Sequence, residues 1–199
     1  MHLNWRLIAA ACALSACLPS FAQQYPAKPV RISKAAPDGY TLLMGSAAAL
    51  ASNPALYAKL PFDPVRDLAP ISLIVIQPNV LVVHPTIPVG SVKEFIALSK
   101  RKPGVLKYGS SGIGGSQHMA AELFSYYAGI KLVHVPYKGG APALTDLVGG
   151  QIDLMFETIP TAMPYVKSSK LRALGITTAQ RSQAYPDLPT IRESGVPQY

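Results

Sequence analysis

One turn constrains this chain more than any other stretch: Tyr108-Gly109-Ser110-Ser111-Gly112-Ile113-Gly114-Gly115-Ser116-Gln117-His118. Ahead of it, residues 104–108 read as a short strand. Behind it, residues 119–128 read as a helix. A strand, a small polar turn and a helix together present bare backbone N–H groups to an anion, because the first amides of a helix lack carbonyl partners and carry partial positive charge. Glycine allows close approach of the backbone, and serine adds a short hydroxyl donor. Four glycines and three serines between residues 109 and 116 exceed the needs of a tight connection. The turn is therefore expected to hold a carboxylate through Ser110, Ser111, Gly112, Gly114 and Ser116. The bland alternative is a connection whose glycines only satisfy geometry. Neither G-x-x-x-x-G-K-[ST] nor G-x-G-x-x-G fits, so it is not a phosphate loop.

The flanking segments alternate between β-rich and helix-like patterns. Strands are expected at residues 28–32, 40–44 (buried), 71–76, 79–84, 130–137, 151–156 and 171–177. Helices are expected at residues 92–100, 143–148 and 161–167, with a weak one at 48–50. Ser91 and Glu94 form a capping box for the first of these, and Val92, Phe95, Ile96 and Leu98 line its apolar side. Asn53-Pro54 reads as an N-cap followed by a first-turn proline. Residues 61–70 read as loop. Alternation of this kind predicts an α/β fold with a largely parallel sheet, whose ligands bind beyond the carboxyl ends of the strands. Four turns fall at such ends: Gly45-Ser46-Ala47, the glycine–serine turn, Lys138-Gly139-Gly140, and Glu157.

Each has two readings. Ser46 and Ala47 either close the far side of a cleft or sit in an ordinary loop. Lys138, with Gly139 and Gly140 opening a helix, either adds charge to the site or is a solvated surface lysine. Glu157 either faces the cleft and takes a donor from ligand or water, or is a helix-start acid. His118 is a hydrogen-bond donor or a surface residue. Pairing Ser110 or Ser111 with His118 raises a hydrolase alternative, carried on Ser111, although no nucleophile elbow surrounds either serine and no acid partner is evident. His84 and His134 lack metal spacing and read as structural. Met119, Leu123, Tyr126 and Tyr127 lie at helical spacing and are expected in the core.

The first 22 residues read as a processing signal, with Arg6 before an apolar run at residues 7–18 that is too short to span a bilayer. Cleavage after Ala22 is one outcome. Lipidation of Cys17 within Leu14-Ser15-Ala16-Cys17 is the other, and each excludes the other. Both routes place the protein outside the cytoplasm. Cys12 and Cys17 are the two cysteines and both lie in the signal, so the mature chain has no disulfide, thiol nucleophile or thiolate metal site. The formal net charge is +8, and its only dense run, Lys100-Arg101-Lys102, sits at a helix end where cations are favoured. Without a basic stripe or stacking aromatics, nucleic acid is a poor partner, whereas a diffuse positive field suits small acids.

Several ordered motifs resemble the solute receptors of tripartite tricarboxylate transporters, the TctC-like Bug proteins. They are Ala35-Ala36-Pro37-Asp38-Gly39-Tyr40-Thr41-Leu42-Leu43, Asn53-Pro54-Ala55-Leu56-Tyr57, Tyr108-Gly109-Ser110-Ser111-Gly112, His134-Val135-Pro136-Tyr137-Lys138-Gly139 and Leu188-Pro189-Thr190. The resemblance implies a monomeric periplasmic binding protein with two α/β lobes, no cofactor and no catalysis. It implies binding of small organic carboxylates, partly through ordered waters, and delivery to a two-part membrane permease. Residues 1–22 are then the signal, 23–80 belong to the first lobe, 81–176 form the second, and 177–199 return to the first. Relatives carry a proline- and glycine-rich clamp loop, a helix, a strand and another helix where Ile32 here runs straight into Ser33. They also continue beyond Tyr199. The resemblance therefore implies an internally deleted and C-terminally shortened receptor with an intact second lobe, an incomplete first lobe and impaired binding. A sensory or interaction role without transport is a further alternative.

Overall fold

The computed structural model describes residues 32–199. The processing signal, Cys17 and all of the expected strand at residues 28–32 except Ile32 lie outside the described residues, and Ile32 is helical. The chain divides into two compact units, residues 1–44 and 45–199.

In the first unit, the Asp38-Gly39 turn is fixed by the Tyr40 N–H donating to Asp38 Oδ1 at 3.0 Å, with Gly39 at φ 83°. The buried strand expected at residues 40–44 is not formed. Tyr40 is 91% exposed and Met44 80%. Residues of high β propensity gain little without a ladder and a packed face, and no described strand pairs with this run.

In the second unit, a π-helical turn at Ala48–Ser52 runs directly into α1, Asn53–Leu56. Asn53 is consequently inside a continuous helical stretch, and Ser52, not Asn53, precedes α1 as its cap. The sheet and helices follow as β1 Asn79–Val83, α2 Val92–Arg101, β2 Lys107–Ser110, α3 Ser116–Ala128, β3 Val133–Pro136, α4 Gly140–Val148, β4 Leu154–Thr158, α5 Ile159–Lys167 and β5 Arg172–Ile176. The run at residues 71–76 is exposed and unpaired, contrary to the strand expected there.

Strand order is β3-β2-β4-β1-β5. β2 is parallel to β3 and β4, but β1 is antiparallel to both β4 and β5. The largely parallel sheet expected from the alternation is thus mixed. β1 is wedged between strands from the far end of the chain, a pairing that no local pattern encodes. All five β1 residues are buried, and they alternate between two cores. Leu81 and Val83 join Phe95, Tyr108, Phe124, Leu154 and Phe156 under α2 and α3. Val80 and Val82 join Ala143, Leu147, Ile152, Met155 and Ala162 under α4 and α5.

The capping box forms as the spacing predicts in one half: Ser91 Oγ accepts the Glu94 N–H at 3.2 Å. The Glu94 carboxylate reaches one residue further back, accepting the Gly90 N–H at 2.6 Å. In α3 the buried face is Gln117, Ala121, Phe124 and Ala128. Met119, Leu123, Tyr126 and Tyr127 point outward, correcting their assignment to the core. Ala121 and Ala128 leave room on that face for the fully buried Phe124 ring.

Candidate functional site

The C-terminal ends of β2, β3 and β4 converge on the starts of α3 and α4. Gly109 sits in β2 beneath α4, where a Cβ would lie 2.4 Å from Ile152 Cδ1 and 3.4 Å from Ala143 Cβ. A side chain there would displace the tip of Ile152, so glycine lets Ile152 and Ala143 of α4 pack directly on β2.

The glycine–serine turn is closed largely by its own residues. The Ser111 N–H donates to Gln117 Oε1 at 2.6 Å, Gly112 N–H to Ser110 Oγ at 3.2 Å, Gly114 N–H to His118 Nδ1 at 3.2 Å and Gly115 N–H to Gly112 O at 3.3 Å. Three of the residues expected to face an anion, Ser111, Gly112 and Gly114, therefore have their amides engaged internally, and so does Gly115. The open donors lie one step later. The first intrahelical bond of α3 runs from Met119 N–H to Gly115 O at 2.9 Å, so helix geometry leaves the amides of Ser116, Gln117 and His118 without carbonyl partners. Ser116 is exposed at that end. Gly112 at φ 129° and Gly114 at φ 78° occupy the left-handed region, which explains why the turn is built from glycine.

Gln117 is the keystone that sequence reasoning passed over. It is 5% exposed; its Oε1 holds the Ser111 amide and its Nε2 donates to Glu157 Oε2 at 2.9 Å. Glu157 is 3% exposed, and its Oε1 accepts from the Thr158 N–H at 2.7 Å and the Thr158 hydroxyl at 3.1 Å. Glu157 therefore takes its donors from the protein, not from an open cleft, and acts as a bracket between β4 and α3. Gly140 seals it: a Cβ there would lie 3.0 Å from Gln117 Nε2 and 3.2 Å from Glu157 Oε2. A polar residue on the otherwise apolar 117/121/124/128 face was the available signal.

Below the turn, Ser110 is fully buried, and its Oγ meets His134 Nε2 at 2.6 Å. The His134 ring stacks on Tyr108 at 4.7 Å and lies 4.3 Å from His118. Burial pushes the His134 imidazole down, the neighbouring His118 adds to this, and Glu122 opposes it. The Tyr108 phenol donates to Glu122 at 2.5 Å, and burial with that bond holds its proton far above the usual phenol range. The serine that meets an imidazole is thus Ser110, sealed from solvent, and the Ser111–His118 pair of the hydrolase alternative is not made. His84 also has a local role, with Nδ1 against Thr86 Oγ1 at 2.7 Å.

At the start of α4, the Tyr137 phenol donates to Asp146 at 2.8 Å and is pushed up to about 12 by burial and that bond. This fixes the turn carrying Lys138, which is exposed and makes no ion pair among the described residues, and Gly139, at φ 124°. Ser46 and Ala47 are exposed at the beginning of the helical stretch, where Ser46 Oγ accepts the Ala49 N–H at 3.3 Å. The other end of that stretch abuts the turn: a Cβ on Gly114 would lie 3.0 Å from Leu56 Cδ1 and 3.2 Å from Asn53 Oδ1. Among the described residues there is no group of three or more side chains suited to a metal ion, and no helix is long and apolar enough to cross a membrane.

Comparison with known proteins accounts for this arrangement. Residues 27–199 match the family described as "Tripartite tricarboxylate transporter family receptor". Protein BugT of Bordetella pertussis is 36% identical over 168 residues, which is 84% of this chain and 52% of BugT. The structure of Rpa4515 of R. palustris with adipate superposes with a TM-score of 0.81 at 37% identity, over 86% of this chain and 57% of that one. MatC from Rhodopseudomonas palustris with bound malate gives 0.76 at 31% identity, over 85% and 57%. The chain spans about half the length of the curated relatives it matches. With a family match across nearly its whole length and a periplasmic-binding-protein fold to go with it, the chain belongs to the tripartite tricarboxylate transporter receptors, a family of solute-binding proteins and not of enzymes.

Proposed function

We propose that this protein is an extracytoplasmic receptor for small organic di- and tricarboxylates that delivers them to the permease subunits of a tripartite transporter. The observation that carries the reading is the trio of unpartnered amides at the start of α3, beside the glycine start of α4, where Gly140 packs on Gln117. Carboxylates suit such a helix start electrostatically and through hydrogen bonding. Relatives of the same fold are described with adipate and with malate, which supports the ligand class.

In this reading, Ser116 and His118 offer backbone amides, and Lys138, Gly139 and Gly140 flank the ligand. Ser110, Ser111, Gly112, Gly114 and Glu157 hold the turn in shape, and Ser46 and Ala47 approach from the first lobe. Residues 23–80 belong to that first lobe, 81–176 form the second and 177–199 return to the first. Export uses the signal at residues 1–22, with Cys17 lipidation as the alternative fate, and the receptor acts as a monomer. The clamp loop that relatives carry, by resemblance, is absent between Ile32 and Ser33. Loss of two charge-assisted bonds at about 1.5 kcal/mol each lowers affinity about a hundredfold.

Thermal unfolding against a panel of acids tests the proposal. A ligand at about 100 times its Kd adds about 2.7 kcal/mol to stability. Adipate, malate and citrate are expected to raise Tm saturably while their methyl esters do not. No rise with any acid refutes the reading.

A further inference from the structure

Asn53 is anomalous. It is 1% exposed, yet neither Nδ2 nor Oδ1 of its carboxamide has a hydrogen-bond partner. An amide offers two donor hydrogens and two acceptor lone pairs, and leaving them unmet in a buried place is costly. Asn79 Oδ1 and Ser125 Oγ are also buried without partners, but Asn53 is orphaned at both ends. An apolar side chain of the same size would fill this position without the penalty.

Its location supplies a use for it. Asn53 Oδ1 lies 3.2 Å from the point where a Gly114 Cβ would stand, so only a glycine separates the carboxamide from the turn that opens α3. Ser111 is held short, at 2.6 Å from Gln117 Oε1, but the glycines of that turn are tied by bonds at the long end of the normal range: Gly112 N–H to Ser110 Oγ and Gly114 N–H to His118 Nδ1 at 3.2 Å, and Gly115 N–H to Gly112 O at 3.3 Å. Exchanging such bonds for contacts to a ligand leaves the core untouched. Gly112 and Gly114 already sit at left-handed φ and can be re-formed without side-chain strain.

We propose that Asn53 is a specificity-determining residue: its buried, unpartnered carboxamide, set with Oδ1 beside Gly114 in the turn that opens α3, reads the hydroxyl group of a 2-hydroxy dicarboxylate. This rests on the receptor reading above. An unsubstituted diacid uses only the Nδ2 donors, through its carboxylate. A 2-hydroxy acid uses both ends, with its hydroxyl donating to Oδ1 while its carboxylate accepts from Nδ2. Discrimination is large when a site built to hydrogen-bond a hydroxyl meets an analogue lacking it, because the site's own polar atom is left unpaired.

The test is calorimetric titration of the full chain with malate and with succinate, for wild type, Asn53→Leu and Asn53→Ser, together with melting of each unliganded protein. Wild type is expected to bind malate at least tenfold more tightly than succinate. Asn53→Leu is expected to bring malate affinity down to that of succinate while leaving the unliganded Tm unchanged or higher, since the orphaned amide is gone. If Asn53→Leu fails to fold, Asn53→Ser carries the comparison and is expected to lose most of the preference. Wild-type binding without a malate preference, or a preference within twofold of wild type in a folded variant, overturns the role of Asn53 and leaves the receptor reading standing. Wild type that binds neither of these acids nor adipate or citrate overturns both.

Discussion

Gln117→Glu probes the bracket that shapes the site. The substitution keeps size and shape and still presents one oxygen to the Ser111 N–H. It replaces the amide that donates to Glu157 at 2.9 Å with a second carboxyl oxygen. If both carboxyls stay ionised, Coulomb's law at an effective dielectric of about 20 gives a repulsion of about 6 kcal/mol. If one takes up a proton, the donor is restored. Holding a proton at pH 7 on a carboxyl of ordinary pKa, about 4.3, costs about 3.7 kcal/mol. The cheaper route wins, so the variant is expected to lose about 3.7 kcal/mol at pH 7, a large part of a typical domain's stability. The native variant then holds a proton that its unfolded chain releases, so its stability rises as pH falls. The deficit shrinks by about 1.4 kcal/mol per pH unit and is nearly gone by about pH 4.5. Urea unfolding of both proteins at pH 5, 6 and 7 measures this. Adding Glu157→Gln to the variant restores one donor and one acceptor and should abolish the pH slope. A deficit equal at pH 5 and pH 7 would refute the assignment of Gln117 as donor to a buried carboxylate.

Three further outcomes follow from the packing and electrostatics. Phe124→Ala removes a fully buried ring that meets Phe95, Phe156 and Tyr199 at centroid distances of 6.1, 5.5 and 6.3 Å, and should cost about 3–5 kcal/mol in chemical unfolding. Ser91→Ala removes the oxygen that accepts the Glu94 amide and should cost about 1 kcal/mol with an unchanged denaturant slope. The depressed His134 pKa means that the native state binds fewer protons than the unfolded chain at mildly acid pH. The stability this supplies is complete above the unfolded value of about 6.5 and is lost as pH falls through the folded one. Melts from pH 7.5 downward should reveal this loss, and His134→Gln should remove it from the profile.

Much of the fold was legible because the governing interactions are local. The strand–turn–helix at residues 107–128, the Ser91 cap and the alternation of strands and helices depend on preferences that act over one or two turns. The five ordered motifs at residues 35–43, 53–57, 108–112, 134–139 and 188–190 together indicated the family. The runs at residues 40–44 and 71–76 carry β propensity too, but propensity alone does not supply a neighbour, and both are exposed.

By itself, the sequence determined that a glycine–serine turn would open a helix at the carboxyl end of a strand. It could not determine which amides of that turn remain available. Tertiary structure decided this where Glu157, 40 residues away, accepts from Gln117 Nε2 and so aims Gln117 Oε1 at the Ser111 amide; with the local His118–Gly114 bond, that leaves the open donors at residues 116–118. Tertiary structure also reversed β1 between β4 and β5, and it buried Glu157 beneath Gly140. The physical reason is range. Helix and turn preferences are set by near neighbours, whereas the Asn79–Thr177 bond that anchors β1 to the far end of the chain joins residues 98 positions apart. Such contacts are chosen by competition among whole packed arrangements.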